Sequence, residues 1–471
     1  MIALLVAALL VASTIAIVEF VQLRAANERI EELESADGEG DGGGGLFGDF
    51  DELFEDLLGE AEGLFEGAGD VGALIECLGS PFGGSGGAGT SVEAIARQVE
   101  GIRELEFGRD VEPVFLGDPE MNERVRELFL EEYTPGIADV EERILTALGA
   151  IPPGTDLRGL RSEAIGQQVA GFYEPETGDL VVRQSGSELS AVDRITLAHE
   201  LDHALTDQAL GIPLPDDPEL GTEDSTLAAL ALVEGDATLV MQRYSATLGL
   251  DEQLGLLDPE SIAASEAGLG GFPPYLEQEL LFPYEEGLSF VCELYAEGGW
   301  QAVNRAYERP PTTTAQVLFP DRYLAGEDAA DPRDPGTPGK GWRRSAGVQL
   351  GAANLLWLFS APGGVEGRPG VDDPLAAAGT WDGGELELWV RGSDTALGIS
   401  LAERPGKERL CDAVFEWYDS SFEGDLITAT THSPKPFEFN GQDQDAVIRC
   451  HADDVRLGIA PDLRTARALV R

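Results

Sequence analysis

In the stretch RITLAHELDHAL, residues 194–205, two of the chain's four histidines stand four apart, with a glutamate directly after the first. Helical residues four apart share a face, so His199 and His203 can aim their imidazoles at one ion. Glu200, rotated about a quarter-turn, can reach a water on that ion without taking a coordination position. Two imidazoles plus a carboxylate that accepts a proton from water are what metal-assisted hydrolysis asks for. The bland alternative is a pair of buried histidines satisfying backbone groups. Their concentration in so histidine-poor a chain weakens it. His432 and His451 stand in strand-like or loop sequence with no partner at ligand spacing, and are read as incidental.

The elements that must position these groups are legible around them. Ser190-Ala191-Val192-Asp193 fits a capping box, which predicts a helix from about Ala191, ended by Gly211 and Pro213. A metal site of this kind needs a third protein ligand. DSTLAALALVEGDATLVMQRY predicts a second helix from Ser225 to Tyr244, with Asp224 as its N-cap. Glu234 lies in the middle of it, an acid in an apolar helix, where an unpaired carboxylate is costly. Gly235 beside it gives up about 1 kcal/mol of helix propensity relative to alanine, which implies a close approach by another backbone. Both features fit a helix that crosses the His199–His203 helix, with Glu234 completing the ligand set. An edge acid facing solvent is the alternative.

HELDH followed by a helix bearing LVEGDA resembles the gluzincin zinc metallopeptidases, the thermolysin-like superfamily (peptidase MA-like). The resemblance covers roughly residues 91–325. It implies a mainly helical domain with a small edge-strand sheet, and Zn2+ held by His199, His203 and Glu234. It makes Glu200 the general base and proton shuttle. FPYEEGLSFVCELY, from Phe282, resembles the PYEKG-type helix of the superfamily's aminopeptidases and implies that Tyr284 donates to the oxyanion. A partly buried tyrosine opening an amphipathic helix is the other reading. Many members carry an aspartate four residues after the ligand glutamate. This chain has Thr238 there and Asp236 two residues on, which leaves Asp207, one turn past His203, as another candidate to orient an imidazole, with a salt-bridged surface acid the equal alternative. The hairpin-like VAGFYEPETGDLVV occupies the place of the superfamily's cleft-side edge strand, so Gly171 and Tyr173 are candidates to line the cleft. The superfamily's acidic motif for a substrate amine is not visible, so no exopeptidase specificity is implied. PPTTTAQVLFP, from Pro310, is distinctive but yields no role.

Beyond the site, 471 residues predict two globular units plus extensions. Residues 1–23 are mostly apolar and carry no charged side chain apart from Glu19, close to the ~20 residues that cross a bilayer as a helix. A transmembrane anchor is preferred to a cleaved signal peptide because helical sequence continues unbroken beyond it. Arg24 and Arg29, taken alone, would hold the following chain in the cytoplasm, whereas an apolar segment at an N-terminus acts as an export signal. Export is favoured, which makes this a single-pass cell-membrane protein with its catalytic domain outside the cytoplasm. Residues 24–90 read as a helical stalk and a Gly- and acid-rich linker that contains LFGDFDELFEDLL. Residues 91–330 form the peptidase unit. The Pro- and Gly-dense DPRDPGTPGKG, 331–341, marks a boundary before a small α+β unit at 340–471. The fold class expected of the whole is α+β.

A net charge of −56 repels phosphate backbones and argues against a nucleic-acid partner. The four cysteines show no CxxC spacing, so a thiolate zinc site is not indicated, while Cys411 and Cys450 can pair in an oxidising compartment. The expected function is a membrane-anchored zinc peptidase acting on a peptide or protein substrate. The alternatives are a non-catalytic surface scaffold with a vestigial metal site, and a zinc amidase acting on peptidoglycan peptides.

Overall fold

The computed structural model describes residues 89–471 together with Cys77 and Leu78, apart from 176, 185, 187, 214–222, 257–271, 366, 408, 430–434 and 452–453. The apolar segment 1–23, nearly all of the linker 24–90 and His432 therefore lie outside the described residues. Among the described residues, no helix is long and apolar enough to cross a membrane.

The N-terminal part begins with α1 (Val92–Arg103), β1 (Val114–Leu116), α2 (Asp118–Glu132), α3 (Pro135–Ala147) and α4 (Leu157–Gln168), followed by β2 (Gly171–Glu174) and β3 (Asp179–Arg183). β2 and β3 form the expected hairpin, with Gly171 opposite Val182 and Glu174 opposite Asp179. β1 joins β3 in parallel, so the three-stranded sheet runs β1-β3-β2 and leaves β2 as an edge.

The edge strand packs on α5 (Ala191–Ala209). Ser190 Oγ accepts from Asp193 N (3.1 Å) while Asp193 Oδ2 accepts from Ser190 N (2.8 Å), the reciprocal cap that the sequence indicates. Every residue from Arg194 to Thr206 is buried, so α5 is a central helix rather than an amphipathic one. It crosses α6 (Glu223–Ser245), which is buried almost as completely. After the short α7 (Leu250–Leu256) comes α8 (Pro274–Gly298), with Pro283 inside it, then α9 (Trp300–Glu308), α10 (Thr314–Leu318) and α11 (Pro320–Ala325).

The remaining chain is built on an antiparallel sheet of seven strands, in the order β4-β5-β6-β10-β9-β8-β7. Its strands are β4 (Arg343–Gln349), β5 (Trp381–Arg391), β6 (Asp394–Glu403), β7 (Gly424–Ala429), β8 (Lys435–Gly441), β9 (Asp445–Cys450) and β10 (Asp454–Ala460). Helices α12 (Ala352–Ser360), α13 (Pro374–Ala378), α14 (Leu410–Ser421) and α15 (Leu463–Leu469) interrupt or follow them. Cys411 of α14 and Cys450 of β9 form a disulfide. The chain is thus mixed α and β.

The Pro- and Gly-rich stretch that marks a boundary in the sequence is an extended strap lying against this sheet. Ala330 N donates to Asp382 O and Gly336 N to Leu469 O. A single cluster of buried apolar residues spans both sides of the strap, from Ile95 through Leu201, Leu232 and Phe290 to Leu386 and Ile459. Two further structural facts stand outside the sequence reading. Cys77 is joined by a disulfide to Cys292 of α8. Asp224, expected as a cap, lies within the first turn of α6, where its Oδ1 accepts from Thr314 Oγ1 (2.5 Å) and Thr314 N (3.2 Å). Thr314 Oγ1 in turn accepts from Ala353 N, so the PPTTTAQVLFP box ties α6, α10 and α12 together.

Candidate metal centre

Where α5 crosses α6, three donors converge. His203 Nε2 lies 3.0 Å from His199 Nε2 and 3.4 Å from Glu234 Oε2, and His199 Nε2 lies 3.1 Å from the same oxygen. The histidines are four apart on one helix, and Glu234 comes from the middle of the other. Among the described residues this is the group of histidine and carboxylate side chains that could hold a metal ion. Tetrahedral zinc bonded at about 2.0–2.1 Å separates its ligands by about 3.3 Å, so the spacing of the three donors fits such an ion. Glu234 Oε1, His199 Nδ1 and His203 Nδ1 are buried without hydrogen-bond partners, and a set of two imidazoles and one carboxylate is right for a borderline-soft divalent cation.

The electrostatics point the same way. Burial lowers the His199 pKa further than Glu234 restores it. For His203, burial also pulls downward, but the charge and hydrogen bond of Glu234, with Glu200 and Asp202 nearby, push it up to about 9. Burial would raise Glu234, yet the two imidazoles hold it down at about 2. Burial thus favours the neutral form of His199, while Glu234 draws positive charge toward His203, so the cage suits a cation. Ligation requires His203 to be neutral, so a divalent ion and a proton compete for one place.

Glu200 is 2% exposed and its Oε2 has no partner. Burial, with the Glu234 charge adding to it and His203 opposing it, raises its carboxyl to about 8. Its place against the edge strand depends on a missing side chain. A Cβ on Gly171 would lie 2.8 Å from Glu200 Cγ and 3.0 Å from Oε1. Gly171 therefore meets Glu200 directly, whereas the Tyr173 hydroxyl donates to Asp207 Oδ2 (2.7 Å). That bond corrects one expectation: Asp207 holds the hairpin to α5 rather than orienting a histidine.

Tyr284 reaches the cluster from α8. Its ring centroid lies 6.3 Å from that of His199, and its hydroxyl feels the charges of Glu234 and Glu200. Burial first, then the charges of Glu234 and Glu200, push its pKa well up, so it is a donor. The crossing of two helices places it there. A Cβ on Gly235 would lie 2.2 Å from the Gly287 carbonyl, and one on Gly287 2.2 Å from Ala231 O. The close backbone approach that Gly235 implies is real, but its partner is α8 rather than α5.

Asp236 is committed elsewhere. Arg103 binds it through Nε and Nη2 at 2.9 Å each, and the Tyr307 hydroxyl donates to it at 2.8 Å. Arg103 also stacks on Trp300, 4.3 Å from the ring centroid, so a buried cation pins α1 to the helix carrying Glu234. Sequence reading passed over this arginine, although Ile95, Val99 and Arg103 share one stripe of α1 and all three are buried. Thr238, four residues after Glu234, is buried with Oγ1 unpartnered. Asp202 is buried beside the Arg103–Asp236 pair, which it joins electrostatically, and burial raises its carboxyl well up. His451 stays apart from the cluster, in the β9–β10 turn, where its backbone N donates to Asp454 O. Comparison of the chain with protein-family models, with curated proteins and with solved structures finds no match in any of the three.

Proposed function

We propose that this chain is a membrane-anchored, zinc-dependent hydrolase of peptide bonds. The observation that carries the reading is the meeting of His199, His203 and Glu234 within bonding reach of one ion, with Glu200 and Tyr284 beside them. A bound Zn2+ supplies Lewis-acid polarisation of the scissile carbonyl and acidification of a water. His199, His203 and Glu234 would hold that ion. Glu200, with an unpartnered oxygen and a carboxyl raised to about 8, takes the proton of the attacking water and returns it to the departing amine. The Tyr284 hydroxyl, kept protonated by burial beside Glu234 and Glu200, donates to the carbonyl oxygen as negative charge develops there. The edge strand β2, flush against Glu200 at Gly171, offers an extended substrate backbone a strand to pair with. Two disulfides support an oxidising, extracytoplasmic location, with residues 1–23 as the anchor.

Burial favours a second reading. His199, Glu200, His203, Glu234 and Tyr284 are each 4% exposed or less, so a structural metal centre is the competing assignment. One experiment separates the two. Zinc is measured in the wild type and in Glu200→Gln, and both are assayed against a mixed peptide library. The hydrolase reading expects zinc in both proteins and cleavage lost by about 10²- to 10⁴-fold in the variant. Undiminished cleavage by Glu200→Gln refutes it. Zinc in both with no cleavage by either assigns the centre to structure.

A further inference from the structure

A half-open cavity of about 520 Å³ lies along the N-terminal half of α8, and none of the five side chains of the metal centre lines it. Its walls are mainly apolar, with Ile137 and Ile144 from α3, Leu227 from α6, Leu276 from α8, and Val348 and Leu386 from the large sheet. Into this apolar space the chain puts one cation and four carboxylates: Arg161 against Glu141, Glu223, Asp224 and Glu279. The arginine is already engaged. Its Nη2 lies 2.7 Å from Glu141 and 2.6 Å from Glu279, and Glu141 also accepts from the Tyr133 hydroxyl. Arg161 Nε lacks a partner, but the guanidinium is bracketed by those two acids.

Glu223 and Asp224 are left over. Both stand in the first turn of α6, and position there is enough to explain an acid. It does not explain what their neighbours lack. Asp224 is 3% exposed; Thr314 satisfies its Oδ1, while its Oδ2 has no hydrogen-bond partner. Gln349 Oε1, on the same cavity wall, is buried and equally without a donor. Asp224 packs against Gly351, where a Cβ would fall 1.7 Å from Oδ1, and Gln349 stands two residues before that glycine, so both residues belong to one stretch of the cavity wall. The volume is typical of a small-molecule site, in which apolar walls bind and a few polar atoms orient.

We propose that this cavity is a binding site for a small apolar primary amine. Its hydrocarbon body lies between α3, α6 and the sheet, and its ammonium donates to Asp224 Oδ2 and Gln349 Oε1. An ammonium brings three donors, which two unsatisfied acceptors and a net-anionic wall can use. Burial raises the carboxyls of Glu223, Asp224 and Glu279, the energetic mark of crowded acid that a bound cation relieves.

The test is calorimetric titration of the full-length chain with 4-phenylbutylamine and, as the neutral isostere, 4-phenylbutanol. The amine is expected to bind at least about tenfold more tightly than the alcohol, the scale of one charge-assisted hydrogen bond. Asp224→Asn keeps an acceptor for Thr314 and should lower amine affinity about tenfold while leaving the alcohol unchanged. Leu227→Trp, which fills the cavity, should abolish both without changing zinc content. Gln349→Met gives an independent reading if Asp224→Asn fails to fold, with the same selective loss expected. Equal binding of amine and alcohol, no binding of either, or an amine affinity indifferent to both polar substitutions overturns the proposal.

Discussion

Gly235→Ala tests the helix crossing that places Tyr284 beside Glu234. Glycine inside a helix ordinarily gives up about 1 kcal/mol relative to alanine, so at an open position the substitution stabilises. Gly101 in α1 is such a position, with nothing within 4 Å of its would-be Cβ. At Gly235 the new methyl falls 2.2 Å from the Gly287 carbonyl carbon and oxygen. Non-bonded heavy atoms rest at about 3.5 Å, so α6 and α8 must part by roughly 1 Å. The obstructing atoms are backbone, which puts the penalty near the upper end of the ~1–3 kcal/mol typical of overpacking. Subtracting the propensity gain leaves a loss of about 2 kcal/mol, against a gain of about 1 kcal/mol for Gly101→Ala. Urea unfolding of the full-length chain measures both, and their opposite signs are the result to look for. A parted crossing should also weaken zinc binding, since Glu234 shares the displaced turn. If Gly235→Ala matches or exceeds wild-type stability, the two backbones do not meet and the account of how Tyr284 is positioned fails.

Three further outcomes are expected. Gly171→Ala drives a methyl into Glu200 and should reduce peptide cleavage by about 100-fold, as misplacement by an ångström does, with zinc content unchanged; normal turnover would separate β2 from the chemistry. Replacing both cysteines of Cys77–Cys292 by serine opens a closure of 215 residues and should cost about 5 kcal/mol in the chain-entropy account, against about 4 kcal/mol for the 39-residue Cys411–Cys450 closure. Unfolding of the two double variants decides the order. Asp224 is raised by burial from 3.8 to about 6, although its bonds from Thr314 pull the other way. The native state then holds the proton more tightly than the unfolded chain, and stability contributed by this group declines as pH rises from about 4 through 6. Asp224→Asn lacks that decline, so its deficit relative to wild type should shrink by about 1 kcal/mol between pH 5 and pH 7 in paired denaturation curves. A deficit independent of pH would place the carboxyl in solvent.

What the sequence disclosed follows the range of the interactions involved. The cap of α5 is legible because Ser190 and Asp193 are three residues apart and satisfy each other. The facing histidines are legible from helical period alone. Glu234 announces itself as an acid that an apolar helix would not otherwise keep, and the hairpin from its turn chemistry. Asp207 has the spacing from His203 that an orienter needs, but spacing does not disclose its partner, Tyr173, which comes from 34 residues away. Asp224 is alike, since its local context says cap and Thr314, 90 residues on, says otherwise. The pairing of Cys77 with Cys292 follows by elimination only once Cys411–Cys450 is granted.

The centre therefore has two layers of determination. Bringing the three donors together needs chiefly one interface, α5 on α6, and the residue types that make it are conspicuous. Giving the ion chemistry needs two more, Gly171 on Glu200 and Gly287 on Gly235, and each depends on a side chain that is not there. A glycine marks that something comes close without saying what, so sequence supplies the donors and leaves the arrangement of base and oxyanion donor to the fold. The consequence separates the two readings of this protein. A structural metal centre has no turnover to lose, so Gly171→Ala should leave its metal content unchanged with no cleavage before or after, whereas a hydrolase must lose turnover while keeping its metal.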